Sequence, residues 1–322
     1  MSTAARTCSR PLWARDGAPV HLPQRIESAM MTSPSQTGQA TEQAVFITGG
    51  ASGIGLATAQ RLAARGCKVA LVDQAGDQAV AAAEALGADH IGLQADVTDV
   101  ASLEAAAEAT VRRFGRIDVV VANAGIGSAS TVRASSAEQL LRIIDINLSG
   151  QIRTVKATLE HVIASRGHIA FTCSAAVLKH TPKSSAYAAA KAGVDAFAGA
   201  LRLEVLHRGV TVGVFYPGWT NTPMLQGATS RASSSSSLPW PLSMTNRVDD
   251  VADAYADSIL RRARTTYVPK LYRAIHWLRP LYTSAAWDRS QRAVAAQNVQ
   301  HWESELPSSP RSHEQLPGSS SG

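Results

Sequence analysis

The sequence predicts an α/β fold: a single doubly wound domain with a mostly parallel seven-stranded sheet and helices on both faces. Two observations predict it. Six short apolar runs between residues 44 and 216 lack the polar alternation of a sheet facing water, so each strand should be covered on both sides. Ala-rich segments of helical periodicity separate these runs, and that order implies right-handed crossovers within one parallel sheet.

The elements follow in order. AVFIT (44–48) is the first strand, with a helix over 54–66. KVALVD (68–73) and HIGLQAD (90–96) are the second and third, each followed by a helix, over 75–86 and 100–114. DVVVAN (118–123) leads into one long helix over 136–165, and HIAFTCS (168–174) into a helix over 185–208. VTVGVFY (210–216) is the sixth strand; a last helix over 248–263 and a short strand at Thr266–Val268 complete a domain spanning 43–268. Residues 224–247 contain a serine run broken by prolines, too polar for a strand, and are expected to be a substrate loop. Residues 1–42 show no period and read as a disordered extension, in which Met30-Met31 offers an alternative start. An amphipathic helical extension over 269–302 and a disordered Ser/Pro/Gly tail over 303–322 end the chain.

Composition narrows the function classes. With 45% hydrophobic and 17% charged residues the chain has the ordinary makeup of a packed core. Cys8, Cys67 and Cys173 are too few and too scattered for a disulfide framework or zinc site, and no metal is expected. No run approaches the ~18 apolar residues of a spanning helix, and a cytoplasmic location is expected. Between Arg261 and Arg289 seven basic residues face one acid, Asp288, which accounts for the whole net charge of +6. The core has no basic face to spare, and nucleic acid is not expected as a partner.

The first strand runs directly into TGGASGIG (48–55), which opens a helix. Gly49, Gly53 and Gly55 permit a tight turn and close approach to a pyrophosphate at the helix N-terminus, flanked by Ser52 and Ile54. Asp73, at the tip of the second strand, lies twenty residues beyond Gly53, where a carboxylate can accept both adenosine-ribose hydroxyls. It would repel a 2′-phosphate, and neither Ser52 nor Gln74 supplies a cation to offset it, so NAD is expected and NADP less so. Asp96 and Val97 suit an adenine amino group and ring, and Asn123, Ala124 and Gly125 suit close backbone approach to the cofactor.

Y-A-A-A-K places Tyr187 and Lys191 on one helix face. Chance alone would produce such a pair about 0.1 times in a chain of this makeup. The ammonium is expected to draw the phenol pKa from ~10 toward working pH, making an acid/base pair. Ser174 closes the fifth strand thirteen residues earlier, so its hydroxyl should meet the phenol at the carboxyl edge of the sheet. Asn147 sits mid-helix, where it could hold a water linked to Lys191, although a solvated asparagine would read the same way.

TGGASGIG, NAG, Asn147, Ser174, Y-A-A-A-K and PGWTNTP (217–223) occur in the order and near the spacings of the short-chain dehydrogenase/reductase family, which residues 43–268 resemble. The resemblance implies a Rossmann-type fold and hydride transfer between NAD(H) and a secondary alcohol or ketone. It implies Tyr187 as general acid/base, and Lys191 as the residue that tunes Tyr187 and binds the nicotinamide ribose. Ser174 would orient the substrate oxygen and Asn147 support a proton relay. Pro217, Gly218, Thr220 and Thr222 join the cofactor set by the same resemblance, with Thr220 replacing the usual aliphatic residue.

Trp219, Met224, Leu225, Leu238, Trp240, Leu242 and Met244 are expected either to make the substrate site hydrophobic or to pack the loop down. In residues 270–283, Leu271, Ile275, Leu278 and Tyr282 form an apolar stripe with basic flanks and interfacial Trp277 and Tyr272. That segment reads either as a helix docked over the substrate cleft or in a subunit interface, or as a peripheral membrane contact. The small residues of the 185–208 helix fit the dimer interface that the resemblance implies for this element, although ordinary helix propensity would also select alanine, and a homodimer or homotetramer is expected. A dinucleotide-binding sensor or scaffold without turnover is the competing function.

Overall fold

The computed structural model describes residues 42–127, 131–222 and 245–278, with isolated positions 289, 292, 296 and 299 beyond them. Its strands are β1 (Ala44–Thr48), β2 (Lys68–Asp73), β3 (Ile91–Gln94), β4 (Val119–Ala122), β5 (His168–Thr172), β6 (Thr211–Pro217), β7 (Trp219–Thr220), β8 (Thr245–Asn246) and β9 (Thr265–Val268). Seven of them form one parallel sheet in the order β3-β2-β1-β4-β5-β6-β9, while β7 and β8 pair by themselves. The helices are α1 (Gly53–Ala63), α2 (Gly76–Leu86), α3 (Val100–Phe114), α4 (Ala137–Ile144), α5 (Gly150–Ser165), α6 (Ser185–Val205), α7 (Val248–Leu260) and α8 (Tyr272–Trp277).

The unalternating strands are covered on both faces. In β1, Phe46 joins a core with Val120, Phe171 and Tyr216 on one face, and Val45 and Ile47 join Leu62, Leu71 and Tyr255 on the other. Every residue of β1, β4 and β5 is buried, which is why their sequences are apolar without a period of two. The chain order reverses between β1 and β4, so the loops after these strands diverge and leave a crevice at the carboxyl edge.

The helix expected over 136–165 is not continuous. A capping box of Ser136 and Gln139 starts α4, a π turn occupies Asp145–Ser149, and α5 resumes at Gly150. The cause is local. The Asn147 amide nitrogen donates to the Ile143 and Ile126 carbonyls, both at 3.0 Å, so a side chain competes for the carbonyl one turn back.

Residues 270–283 also depart from the expected stripe. Tyr272 and Ile275 are buried, whereas Leu271 and Leu278 are 43% and 46% exposed, so the inward face is not the one expected. An aromatic cluster sets it: Tyr216 stacks on Tyr267 at 4.7 Å, and the Tyr267 hydroxyl lies 3.0 Å from His276 Nδ1. Tyr272 is therefore a core residue and unavailable to a lipid interface, while Trp277 is exposed. Tyr282, most of the 224–247 loop, the leader and the tail lie outside the described residues. Among the described residues no helix is long and apolar enough to cross a membrane.

Candidate active site

The crevice holds a cavity of about 390 Å³ that extends from Asp73 and Asp96 to Ser174 and Tyr187. The glycine turn forms its floor at one end. Gly49 and Gly53 have φ of +66° and +55°, conformations open to glycine. A Cβ on Gly53 would face Thr222 at 3.8 Å across the cavity, so the turn and the segment after β6 are two walls of one cradle. Ser52 precedes α1 in extended conformation and the first turn holds no acid, leaving its N–H groups suited to an anion. Gly55 was expected on the cofactor surface and is not part of the cavity wall. A Cβ there would collide with the Gly49 carbonyl and lie 2.6 Å from Asn123 Nδ2, so Gly55 serves the packing of the turn itself.

Asp73 is fixed before any ligand arrives: its two carboxylate oxygens accept from the Ala51 and Ala75 N–H groups, each at 3.1 Å. Asp96 uses one oxygen on Thr98, at 2.8 Å from both the amide and the hydroxyl, and Val97 lines the cavity beside it. Asn123 is a strut as well as a wall residue. Its amide donates to the Thr48 and Gly49 carbonyls at 3.0 and 3.2 Å, and its oxygen accepts from Thr172 at 3.1 Å. The ends of β1, β4 and β5 are thereby tied together under Ala124 and Gly125.

At the other end Asn147, Ser174, Tyr187 and Lys191 share the same cavity wall. Lys191 is 3% exposed, and its Nζ donates to the Thr172 carbonyl at 2.8 Å while lying 5.8 Å from the centre of the Tyr187 ring. Burial draws its ammonium down to about 8. Tyr187 does not follow the expectation that this amine would lower it. Burial pushes the phenol up to about 12, against the opposing pull of the Ser174 hydroxyl, while the Lys191 amine donates to the β5 carbonyl. Ser174 Oγ also accepts from the Ala176 N–H at 3.1 Å, which fixes its rotamer. The Asn147 side-chain oxygen is buried without a protein partner. Such an acceptor suits a bridging water or ligand group, and the π turn is what aims it inward.

Pro217, Gly218, Thr220 and Thr222 line the wall opposite. The Thr220 hydroxyl bonds back to the Gly218 carbonyl at 2.9 Å, consistent with its replacing an apolar side chain without presenting a free donor. Sequence reasoning missed Arg142, Ile146, Lys179, Thr181 and Ser184 on the wall, along with Tyr272 as a cavity residue. A signal existed for Arg142 and Ile146, which lie five residues and one before Asn147; Tyr272 reaches the cavity only through the fold of α8. Among the described residues no group of His, Cys, Asp or Glu could hold a metal ion.

The structure thus satisfies what a dinucleotide requires of this chain: an open glycine cradle, a rigid carboxylate at the second strand tip, and an orphaned amide oxygen at the far end. The profile of the family described as short chain dehydrogenase matches residues 43–233. The chain is 35% identical over 212 residues to a 3-oxoacyl-acyl-carrier-protein reductase of Escherichia coli, covering 66% of this chain and 87% of that protein. It is 38% identical over 202 residues to a (-)-trans-carveol dehydrogenase of Rhodococcus erythropolis, covering 57% of this chain and 73% of that one. Among solved structures it is similar to a 3-ketoacyl-(acyl-carrier-protein) reductase from Brucella melitensis complexed with NADH, at a TM-score of 0.65 and 26% identity, over 70% of this chain and 96% of the other. A glycine turn, a serine and a Tyr–Lys pair converging on one crevice, together with these likenesses, establish that the chain belongs to the short-chain dehydrogenase family.

Proposed function

We propose that the protein is an NAD-dependent oxidoreductase that interconverts a secondary alcohol and its ketone, with Tyr187 as general acid/base. The observation that carries this reading is the sharing of one cavity by the glycine turn and by Asn147, Ser174, Tyr187 and Lys191. A bound nicotinamide supplies the hydride acceptor or donor. The chain supplies position and protons. Ser174, with its rotamer fixed, holds the reacting oxygen; Tyr187 exchanges the proton with that oxygen; Lys191 and Asn147 link the phenol to further proton carriers. A phenol held near 12 keeps its proton at neutral pH, which suits donation to a carbonyl; the reverse direction needs charge brought close to the phenol when the site fills.

Asp73 supports NAD over NADP, since a fixed carboxylate at that tip accepts ribose hydroxyls and repels a phosphate. The solved relative complexed with NADH is consistent with this choice. The substrate is lipophilic at least in part, because Ile146, Ala175, Ala176 and Trp219 line the reactive end. Exposed Leu203 and Leu206 at the end of α6 support a homo-oligomer formed through that element.

The test is absorbance at the reduced-nicotinamide band with a panel of alcohols and ketones, comparing wild type with Tyr187→Phe. Turnover in the wild type, reduced about a thousandfold or more in the variant, is expected. Cofactor binding without turnover on any substrate, identical in both proteins, would instead indicate a sensor or scaffold.

A further inference from the structure

The cavity is electrically polarised along its length. Its only acidic wall residues, among those described, are Asp73 and Asp96, both at the end assigned to adenosine. The reactive end carries Arg142, Lys179 and Lys191 and no acid. The described segments that reach that end repeat the asymmetry: residues 124–127, 131–137, 161–194 and 217–222 contain no Asp or Glu, although 161–194 alone bring Lys179, Lys183 and Lys191. Lys191 has a role in the proton chemistry. Arg142 and Lys179 do not.

Lys179 is only 5% exposed, five residues after Ser174, in the segment that joins the serine to Tyr187. Burial holds its ammonium below the ordinary lysine range, as expected for a cation desolvated in a pocket wall. A buried lysine is uncommon in a core, and one that faces a ligand cavity is well placed to meet an anion. Arg142, an exposed residue of α4, lies one turn before Ile146 of the π turn, and both line the same cavity. A planar fork there suits two oxygens of one acid group.

Building on the oxidoreductase reading above, we propose that the substrate carries an anionic group, a carboxylate or a phosphate ester, which Lys179 and Arg142 hold while the carbonyl meets Ser174 and Tyr187. The substrate is then amphipathic. An apolar stretch lies along Ile146, Ala175 and Ala176, and the acid group caps it at the cationic end. Lys179 and Arg142 act as specificity-determining residues, outside the proton transfer.

The experiment compares kcat/KM for ketones matched in length and bearing a carboxylate, its methyl ester or a phosphate ester, with NADH, in wild type, Lys179→Met and Arg142→Gln. In wild type one of the charged ketones is expected to exceed the neutral ester by about tenfold or more, and the better of the two identifies the anion. Each variant should lose mainly KM for the charged ketone, collapsing the preference to within about threefold, and added salt should weaken the preference in wild type. Arg142 is exposed, so its variant reports even if Lys179→Met fails to fold. A wild-type enzyme that turns over the ester as well as either anion overturns the proposal and leaves the oxidoreductase reading standing. A variant that lowers all three ketones equally also overturns it. Wild-type protein that binds NADH and turns over none of these, nor any alcohol of the broader panel, overturns both.

Discussion

The side-chain oxygen of Asn147 lies 2.5 Å from the point where a Cβ on Gly125 would stand, and Lys191 Nζ lies 3.7 Å from that point. The missing side chain of Gly125 is therefore the space between an amide oxygen without a protein partner and the amine beside Tyr187. A small polar group placed there would touch both. Gly125 does not have positive φ, so alanine adds volume there without backbone strain.

Gly125→Ala is accordingly expected to fold and to lower kcat about 10- to 100-fold by displacing Asn147. Steady-state kinetics alongside thermal melting check it. A kcat within twofold of wild type would show that the space has no part in turnover.

Asp73→Ser should raise NADP use relative to NAD by about tenfold or more, since the repulsive carboxylate is gone. The variant should also melt earlier, because the Ala51 and Ala75 N–H groups lose their shared acceptor. Kd values for both cofactors, with melting curves, separate the two effects.

Acid should destabilise the protein through His168. This side chain is 1% exposed at the start of β5, and burial, with the charge of Arg262, draws it down to about 3 against the opposing Thr211 contact. Below pH ~6.5 the unfolded chain binds a proton that the folded one refuses until about 3, so stability falls as pH drops through that window. The loss is on the order of several kcal/mol. Denaturant titrations between pH 7 and 4 should show this slope, and His168→Gln should flatten it; an equal slope in both proteins assigns acid sensitivity elsewhere.

Tyr272→Phe is expected to stabilise the protein by about 1 kcal/mol, because the Tyr272 hydroxyl is buried without a partner against Gly218. A higher Tm with circular dichroism unchanged would bear this out. A clear drop would mean that the hydroxyl has a bonded water.

Most of the fold was legible because buried parallel strands write themselves as short apolar runs. AVFIT and HIAFT lie fully inside, and the predicted strand limits are met within a few residues. Most of the cavity wall was legible for a related reason: glycine turns, strand tips and the Y-x-x-x-K spacing all sit at positions that topology carries to one edge. What escaped depends on contacts distant in sequence. The interruption at Asp145–Ser149 follows from Asn147 reaching Ile126, and the orientation of α8 follows from Tyr216 and Tyr267. The phenol's direction of shift escaped because spacing places Lys191 near Tyr187 but does not reveal how far the fold buries the phenol. Gly55 escaped in the opposite sense, since a motif glycine reads alike whether it clears room for a ligand or for the neighbouring backbone.

The widened turn at Asp145–Ser149 makes the segment between Ser136 and Ser165 a fixed-length linkage. Removing one residue from it would let the chain close into an ordinary α-helix, rotating everything on one side by roughly 100° relative to the other. Asn147 would swing out of the crevice while Val155 and Val162, which anchor α5 in the core, held their places. Insertions and deletions should therefore be tolerated far better in the turn between α2 and β3, which lies off the cavity wall, than within these thirty positions, and the enzyme's evolutionary drift in length should concentrate outside them.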